Sequence, residues 1–116
     1  AEAVRHAEVY RGSFAISVCP SENVESPTIV GAQAANELLN IIGIKASFVL
    51  TEYNDKIYIS SRSIDEINVQ IIMEKLGGGG HLNVAGAQLT GVTIVQAKRM
   101  IQDTLDEMLK EGDIEE

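Results

Sequence analysis

Apolar residues recur along this chain at two spacings, and these spacings predict strands alternating with helices. Over residues 8–18 the pattern has period two, which predicts a strand with one face toward a core. The residues on that face are Phe14, Ile16 and Val18. Beyond residue 26 the apolar residues fall three and four positions apart, which predicts an amphipathic helix. Its buried stripe consists of Val30, Ala34, Leu38 and Ile41.

Short polar residues and glycine mark where these elements begin and end. Ser26 is the predicted N-cap of the first helix, and Gly43 is its predicted end. Two β-rich runs within residues 45–63 flank Asn54 and Asp55. Because Asn and Asp tolerate the positive φ of tight turns, this segment is predicted to form a hairpin.

Two more helices and one strand are predicted after the hairpin. Asp65 is expected to cap a short helix, whose buried stripe consists of Val69, Ile72, Met73 and Leu76. A short strand is expected around Ala87 to Leu89. Thr93 and Gln96 then form a capping-box pattern that opens a last helix. The apolar face of this last helix consists of Ile94, Ala97, Ile101, Leu105 and Met108.

The order β-α-β-β-α-β-α predicts an α/β fold, with a mixed sheet of four to five strands and helices packed on it. The length of 116 residues suits a single domain. Residues 1–7 are expected to be a linker or the end of a helix from an upstream domain. Residues 8–111 are expected to form the domain itself, and residues 112–116 a solvated acidic tail.

Composition argues against several classes of function. The formal net charge of −8 argues against broad, non-specific nucleic-acid binding, which needs a basic surface. One small anionic ligand in a local pocket remains compatible with this charge. The single cysteine, Cys19, rules out an internal disulfide and is expected to be a buried, inert thiol. No apolar run is long enough to cross a bilayer.

The stretch KLGGGGHLN, residues 75–83, is the strongest candidate for chemistry. A helix end explains one or two of these glycines, because the residue past the last turn often has positive φ. It does not explain four, since each costs roughly 0.5–1 kcal/mol relative to alanine. We expect the backbone amides of Gly77, Gly78, Gly79 and Gly80 to form a concave nest for an anion. His81 can donate a hydrogen bond to the same anion.

The stretch SSRS, residues 60–63, is the second candidate. It ends a predicted strand and precedes a helix, where α/β folds usually place ligand contacts. Arg62 offers a planar fork suited to bidentate contact with phosphate, and Ser61 and Ser63 offer hydroxyl groups. A lone arginine at a strand end is usually a solvated charge, but the nearby glycine–histidine loop favours a phosphate site.

The sequence contains no recognisable complete active site. A hydrolytic metal site needs several converging His, Asp or Glu ligands. Within a dozen residues on either side of His81, the only carboxylate is Glu74, and there is no second histidine. No nucleophile-elbow pattern is present either, so a binding domain is the better interpretation.

The motif SSRSIDEINVQIIMEKLGGGGH, residues 60–81, resembles the signature of the small C-terminal domain of DHH phosphoesterases. The stretch IVGAQAANELLNIIGIKASFVL, residues 29–50, is similar to the first helix and second strand of that domain. The resemblance therefore covers nearly the whole chain. The run INVQIIMEKLGGGGHL resembles one branch in particular, the membrane-anchored cyclic-di-AMP phosphodiesterases of bacteria. Val84 departs from this pattern, because the family often has alanine there.

The resemblance implies a division of labour between two domains. An upstream DHH domain would hold two divalent ions, usually Mn²⁺, and hydrolyse the phosphodiester to pApA. No Asp-His-His motif occurs in this chain. The chain is therefore expected to bind no cofactor itself and, when alone, to hydrolyse no phosphodiester. The small domain would grip a nucleotide phosphate through Arg62, the four glycines and His81, with Asn83 near the base.

The resemblance also implies partners and a location. The implied ligand is a cyclic dinucleotide or the phosphate of a short oligonucleotide, and the implied protein partner is the DHH domain of the same chain. The fragment would lie in the cytoplasm, attached to a membrane-anchored parent but not itself touching the membrane. The alternative is an interaction module that dimerises the parent enzyme through a sheet edge or the last helix. In that case the glycine loop would be only a connector.

Overall fold

The computed structural model of the chain describes residues 5–20 and 26–116. Within these ranges six strands form one sheet: β1 (Glu8–Tyr10), β2 (Phe14–Cys19), β3 (Ala46–Tyr53), β4 (Lys56–Ser63), β5 (Gly79–Gly80) and β6 (Val84–Thr90). Three helices lie wholly within them: α1 (Pro27–Leu38), α2 (Val69–Glu74) and α3 (Ile94–Glu111). Residues 1–4 of the expected N-terminal linker fall outside the described residues.

The strands follow one another across the sheet in the order β1-β2-β3-β4-β6-β5. The β2–β3 pair is parallel and the other pairs are antiparallel, which confirms the predicted mixed sheet of an α/β domain. The described residues contain six strands rather than the predicted four to five. One extra strand arises because the run from residue 8 turns back at Arg11 and Gly12, both at positive φ. The other, β5, forms within the glycine run.

Each face of the sheet carries its own apolar cluster. One face of the sheet is covered by α2 and α3, and we call it the α2/α3 face. The large core on this face includes Phe14, Phe48 and Leu50. On the opposite face α1 packs its small residues against Val49, and we call this the α1 face. Cys19 is buried in the smaller cluster, and burial raises the pKa of its thiol. Successive side chains of a strand therefore alternate between the α2/α3 face and the α1 face.

Local signals for the ends of α1 and α3 are partly confirmed. The Ser26 hydroxyl accepts a hydrogen bond from the Ile29 amide at 3.4 Å, as expected for an N-cap. Thr93 and Gln96 form the complete capping box. The predicted end of α1 at Gly43 is wrong. The helix ends at Leu38, because the next amides bond to carbonyls three residues back and tighten the chain into turns.

The turns around β4 show one correct prediction and one error. Asn54 and Asp55 have φ of 51° and 62°, which confirms the hairpin turn between β3 and β4. The prediction that Asp65 caps α2 is wrong, since Asp65 lies three residues earlier at φ 53°. Asn68 is the cap, and its side-chain oxygen accepts from the amides of Gln70 and Ile71.

The residues after α3 pack more tightly than a solvated tail would. Gly112 adopts φ 81° and turns the chain at the end of the helix. Ile114 is then buried in the core of the α2/α3 face. The Lys45 ammonium donates to the carbonyl of Glu116 at 2.6 Å. An apolar residue in the acidic segment therefore anchors it to the domain.

Candidate functional site

A groove of about 520 Å³ lies on the α1 face, beside the part of the sheet that α1 leaves open. Thr28 and Ala32 of α1 form one wall, and Gly77 and Gly78 form part of another. The floor consists of β4 and β6. The lining residues on those strands are Tyr58, Ile59, Ser60, Arg62, Val84, Ala85, Gly86, Ala87 and Gln88. The volume falls in the range of small-molecule sites.

The register of β4 and β6 arranges the groove floor in three rows. Ser60 pairs with Val49, which is buried beneath α1, so Ser60 lies on the α1 face. Arg62 and Tyr58, each two residues away, share that face because strand side chains alternate. Across from them on β6 stand Val84 opposite Arg62, Gly86 opposite Ser60, and Gln88 opposite Tyr58.

Arg62 is the only charged residue among those that line the groove in the described parts of the chain. Its side chain is half-buried and donates one hydrogen bond, from Nη1 to the carbonyl of Ser61 at 2.8 Å. Burial lowers the pKa of Arg62 below its ordinary value. The group remains a cation at neutral pH, since arginine is effectively always protonated. One hydrogen bond fixes the guanidinium while its other N–H groups remain available to an anion.

Three of the four consecutive glycines are explained by the fold itself. Gly77 has φ 85° and ends α2, with its amide bonded to Glu74 and the amide of Gly78 bonded to Met73. A Cβ on Gly78 would lie 2.1 Å from the carbonyl oxygen of Gly86. A Cβ on Gly80 would lie 2.5 Å from that of Val84, and φ there is 148°. These positions let the loop lie directly against β6.

Gly79 is the exception in this run. Its φ is not positive, and a Cβ built on it meets no atom within 4 Å. It pairs with Gly86, whose neighbour Ser60 lies on the α1 face. Since paired residues share a face, a methyl group at residue 79 would project from the α1 face into open space beside the groove floor.

The hydrogen bonds of the loop differ from the predicted nest of four free amides. The amides of Gly77 and Gly78 are already donated to carbonyls of α2. The His81 amide donates to the carbonyl of Val84 at 2.7 Å, so the Gly79–Gly86 pair is the next hydrogen-bonded pair. Only the amide of Gly80 then faces away from β6. The other loop amides are hydrogen-bonded within the fold, because the carbonyl groups at the end of α2 and along β6 need donors.

His81 continues the pairing of β5 with β6 and stands beside Val84. Val84 in turn pairs with Arg62, so the three residues form one row. Two interstrand spacings separate the backbones of Arg62 and His81, about 10 Å in all. The exposed histidine therefore flanks the arginine end of the groove without being part of its lining.

The structure does not bring Ser61, Ser63 and Asn83 into the groove. Ser61 pairs with Phe48 and is fully buried on the α2/α3 face. The Ser63 hydroxyl donates to the carbonyl of Ile67 at 2.6 Å. The Asn83 amide donates to the Ser63 hydroxyl at 2.8 Å. The side chains of Ser63 and Asn83 connect the β5–β6 turn to the segment before α2, whereas the buried Ser61 hydroxyl has no hydrogen-bond partner in the described parts of the chain.

Tyr58 and Gln88 are groove residues that the sequence interpretation missed. Both face the open groove, and in the described parts of the chain neither side chain has a hydrogen-bond partner. The period of two was the available signal. Counting back from Arg62 in steps of two reaches Ser60 and then Tyr58 on the same face.

The described residues contain no cluster of three or more His, Cys, Asp or Glu that could hold a metal ion. Among the helices described, none is both long and apolar enough to span a membrane. Because Arg62 is the one charged residue among the described residues that line it, the groove is a candidate for binding an anion.

Comparison with protein families shows which family this chain belongs to. The DHHA1 domain family matches residues 12–111, which is most of the chain. The chain belongs to the DHHA1 family. This assignment confirms the resemblance to the DHH-associated domain of DHH phosphoesterases, and it places the groove within a DHHA1 domain.

Curated relatives of this DHHA1 domain are much longer proteins. It is 46% identical over 104 residues to the cyclic-di-AMP phosphodiesterase PdeA of Listeria monocytogenes, covering 89% of this chain and 16% of that protein. It is 37% identical over 114 residues to the cyclic-di-AMP phosphodiesterase GdpP of Bacillus subtilis, covering 97% of this chain and 17% of that protein. The chain thus spans about a sixth of these relatives.

A solved structure supports the fold of the DHHA1 domain. An exopolyphosphatase-related protein from Bacteroides fragilis superposes with a TM-score of 0.80 at 22% identity. The match covers 92% of this chain and 33% of that one. At this level of identity, the likeness concerns the fold alone.

Proposed function

We propose that this DHHA1 domain is the substrate-binding part of a cyclic-di-AMP phosphodiesterase of the DHH family. In this proposal Arg62 binds a phosphate of the nucleotide in the groove, and His81 contacts the ligand from the flank. A DHH domain of the same polypeptide performs the metal-dependent hydrolysis to pApA. The curated relatives support this substrate class, because both are cyclic-di-AMP phosphodiesterases.

The observation that carries the proposal is the half-buried Arg62 in a groove whose other lining residues, among those described, carry no charge. The overall charge of the chain is −8, so its surface does not attract anions in general. Within the groove, however, Arg62 is held in place by the Ser61 carbonyl, and the other described residues of the lining are uncharged. A guanidinium in such a site can make a charge-assisted, bidentate contact with phosphate.

The glycines have a different role in this proposal from the predicted amide nest. Gly78 and Gly80 allow the loop to pack against β6, while Gly79 and Gly86 leave the adjoining surface without side chains. A ligand can then lie against the backbone itself. The free amide of Gly80 is the one donor that this run can still offer.

Metal chemistry is assigned to the DHH domain rather than to this chain. The described residues do not provide the carboxylate and histidine ligands that a pair of Mn²⁺ ions would need. The contribution of this chain is to bind and orient one end of the nucleotide. Such positioning accelerates a reaction by holding the substrate in a productive geometry.

Substitution of Arg62 tests the proposal. In the two-domain protein with saturating Mn²⁺, Arg62→Ala should weaken nucleotide binding by about 1.5–3 kcal/mol, the usual value for a hydrogen bond to a charged group. Arg62→Lys should retain only part of this binding free energy, because an ammonium group cannot reproduce the planar fork of the guanidinium. His81→Ala should also weaken binding. Calorimetric titration with pApA would measure these changes.

Arg99→Ala is the matched control, since Arg99 is exposed on α3 across the sheet from the groove. It should leave the affinity unchanged, and none of these substitutions should alter the affinity for Mn²⁺. Normal binding and turnover by Arg62→Ala would contradict the proposal. The domain would then be better described as an interaction module, and its oligomeric state would be the next measurement.

A further inference from the structure

The half of the groove opposite Arg62 has the chemistry of a subsite for a nucleobase. Tyr58 and Gln88 are direct cross-strand partners on β4 and β6, and both line the groove. They lie four residues along the strands from Arg62 and Val84, which is about 13 Å at 3.3 Å per residue. The groove thus has a charged end and an uncharged polar end.

The space between these two ends is kept open by small residues. On β6, Gly86 separates Val84 from Gln88 and leaves that row without a side chain. On β4, Ser60 separates Arg62 from Tyr58 and is buried against α1, where a Cβ on Gly31 would lie 2.6 Å from its Oγ. On the wall above, α1 contributes Ala32. A molecule with its phosphate at Arg62 can therefore extend over β6, past Gly86, toward Tyr58 and Gln88 without meeting a bulky side chain.

The side chains at the uncharged end suit a flat heterocycle. Tyr58 is half-buried and presents an aromatic surface on which a base can stack. Gln88 is exposed and presents an amide, which can donate to and accept from the edge of adenine. In the described parts of the chain both polar groups lack a hydrogen-bond partner, so each can bond to a ligand.

We propose that Tyr58 and Gln88 form a nucleobase subsite, with the base stacked on Tyr58 and its edge bonded to the Gln88 amide. This inference rests on the proposed function, because it takes the phosphate to be held at Arg62. It adds the residues that recognise the base. No cation lines this end of the groove among the described residues, and Lys56 lies one row beyond Tyr58 on the same face of β4.

The test compares AMP with ribose 5-phosphate, which carries the same phosphate and sugar without the base. Both are titrated into the 116-residue chain and followed by NMR chemical shifts. AMP should bind at least about fivefold more tightly, the low end of what base stacking on an aromatic residue contributes. Its H2 and H8 protons should show nuclear Overhauser effects to the Tyr58 ring.

Four variants locate the effect. Tyr58→Leu should remove most of the preference for AMP, whereas Tyr58→Phe should keep it because the ring remains. Gln88→Leu should weaken AMP and leave ribose 5-phosphate unchanged. Gln33→Leu is the control, since Gln33 is exposed on α1 and does not line the groove. Amide spectra of each variant establish that the fold is intact.

The outcomes separate the two proposals. The base subsite is wrong if AMP and ribose 5-phosphate bind with equal affinity and neither affinity changes in Tyr58→Leu or Gln88→Leu. The phosphate site still stands in that case, provided that both affinities depend on Arg62. If neither ligand binds in a manner that depends on Arg62, the phosphate site fails, and the base subsite fails with it.

Discussion

Single glycine residues in the loop after α2 differ in what a side chain would meet. Gly78 and Gly80 lie against the backbone of β6, where an added Cβ would overlap carbonyl and Cα atoms. Gly79 has free space and no positive φ. An identical chemical change, one methyl group, can therefore separate the requirements of the fold from those of the ligand.

Gly79→Ala and Gly80→Ala form the matched pair for this question. Gly80→Ala should lower the free energy of unfolding, because the methyl group overlaps β6 and φ is unfavourable for alanine. Gly79→Ala should leave stability within about 0.5 kcal/mol of the parent, as is usual for substitutions without such conflicts. It should nevertheless weaken nucleotide binding, since the methyl group occupies the surface where the ligand is proposed to lie.

Urea unfolding and nucleotide titration of the two variants would measure both effects. A Gly79→Ala protein with unchanged affinity would show that the ligand does not approach residue 79. Gly80→Ala with full stability would mean that β6 can move aside.

At the level of elements, the β1–β2 hairpin is linked to α3 by an ion pair between Glu8 and Lys98 and by the carboxylate of Asp106. Asp106 accepts hydrogen bonds from the Tyr10 hydroxyl and from Arg11 Nε, each at 2.7 Å. Arg11 also lies 3.5 Å from a carboxylate oxygen of Glu116. The hydrogen bond from Tyr10, followed by that from Arg11, holds the pKa of Asp106 below its ordinary value. Arg11 thus links the first hairpin both to α3 and to the end of the chain.

The lowered pKa gives this link a defined dependence on pH. The folded state binds a proton at Asp106 more weakly than the unfolded state does. Its stabilisation is therefore complete above the unfolded pKa of about 3.9 and is lost as pH falls through the lower folded value. Asp106→Asn should lower Tm modestly at pH 7, and the difference from the parent should shrink below about pH 4.

Thermal unfolding of parent and variant between about pH 2 and pH 7, roughly two units below and three units above the carboxyl pKa, would measure this dependence. Asp103→Asn is the control, because Asp103 is exposed on the same helix. A Tm difference for Asp106→Asn that did not change with pH would show that the carboxylate charge contributes nothing to the link.

At the scale of the whole molecule, the described residues of this one chain form two apolar clusters, one on each face of the sheet. The larger cluster joins residues from β2 to Ile114, and the smaller one closes α1 on the sheet. Caps, turns and apolar stripes agree with the tertiary packing. Such agreement between local and global structure is typical of sequences that fold to one state.

The 116-residue chain should consequently fold without any other domain. We expect one cooperative urea transition, with coincident changes in far-ultraviolet and near-ultraviolet circular dichroism. Strong binding of a hydrophobic dye, together with a flat near-ultraviolet spectrum, would contradict this and would indicate a core shared with another domain.

The same chain should hydrolyse no cyclic-di-AMP, with or without added Mn²⁺. The described residues contain no cluster of ligands for a metal pair, and those of them that line the groove include no His, Asp or Glu. Chromatography of the nucleotide after long incubation would test this. Turnover that is abolished by a chelator, in a sample free of contaminating enzymes, would refute it.

Much of the fold could be predicted because its signals are local. The hairpin turn at Asn54 and Asp55, the capping box at Thr93 and the stripes of α2 and α3 depend on neighbours within a few residues. The end of α1 and the cap of α2 were missed. In both places a competing turn, with its own hydrogen bonds, displaced the predicted boundary.

The sequence by itself determined the α/β class, the family motif and the selection of Arg62, the glycine run and His81 as candidates. Only the tertiary structure decided which of the neighbouring side chains share a surface. Strand register places Tyr58 and Gln88 beside Arg62's groove and turns Ser61 into the opposite core. The reason is that register depends on pairing between distant segments, and a shift of one residue would exchange the two faces.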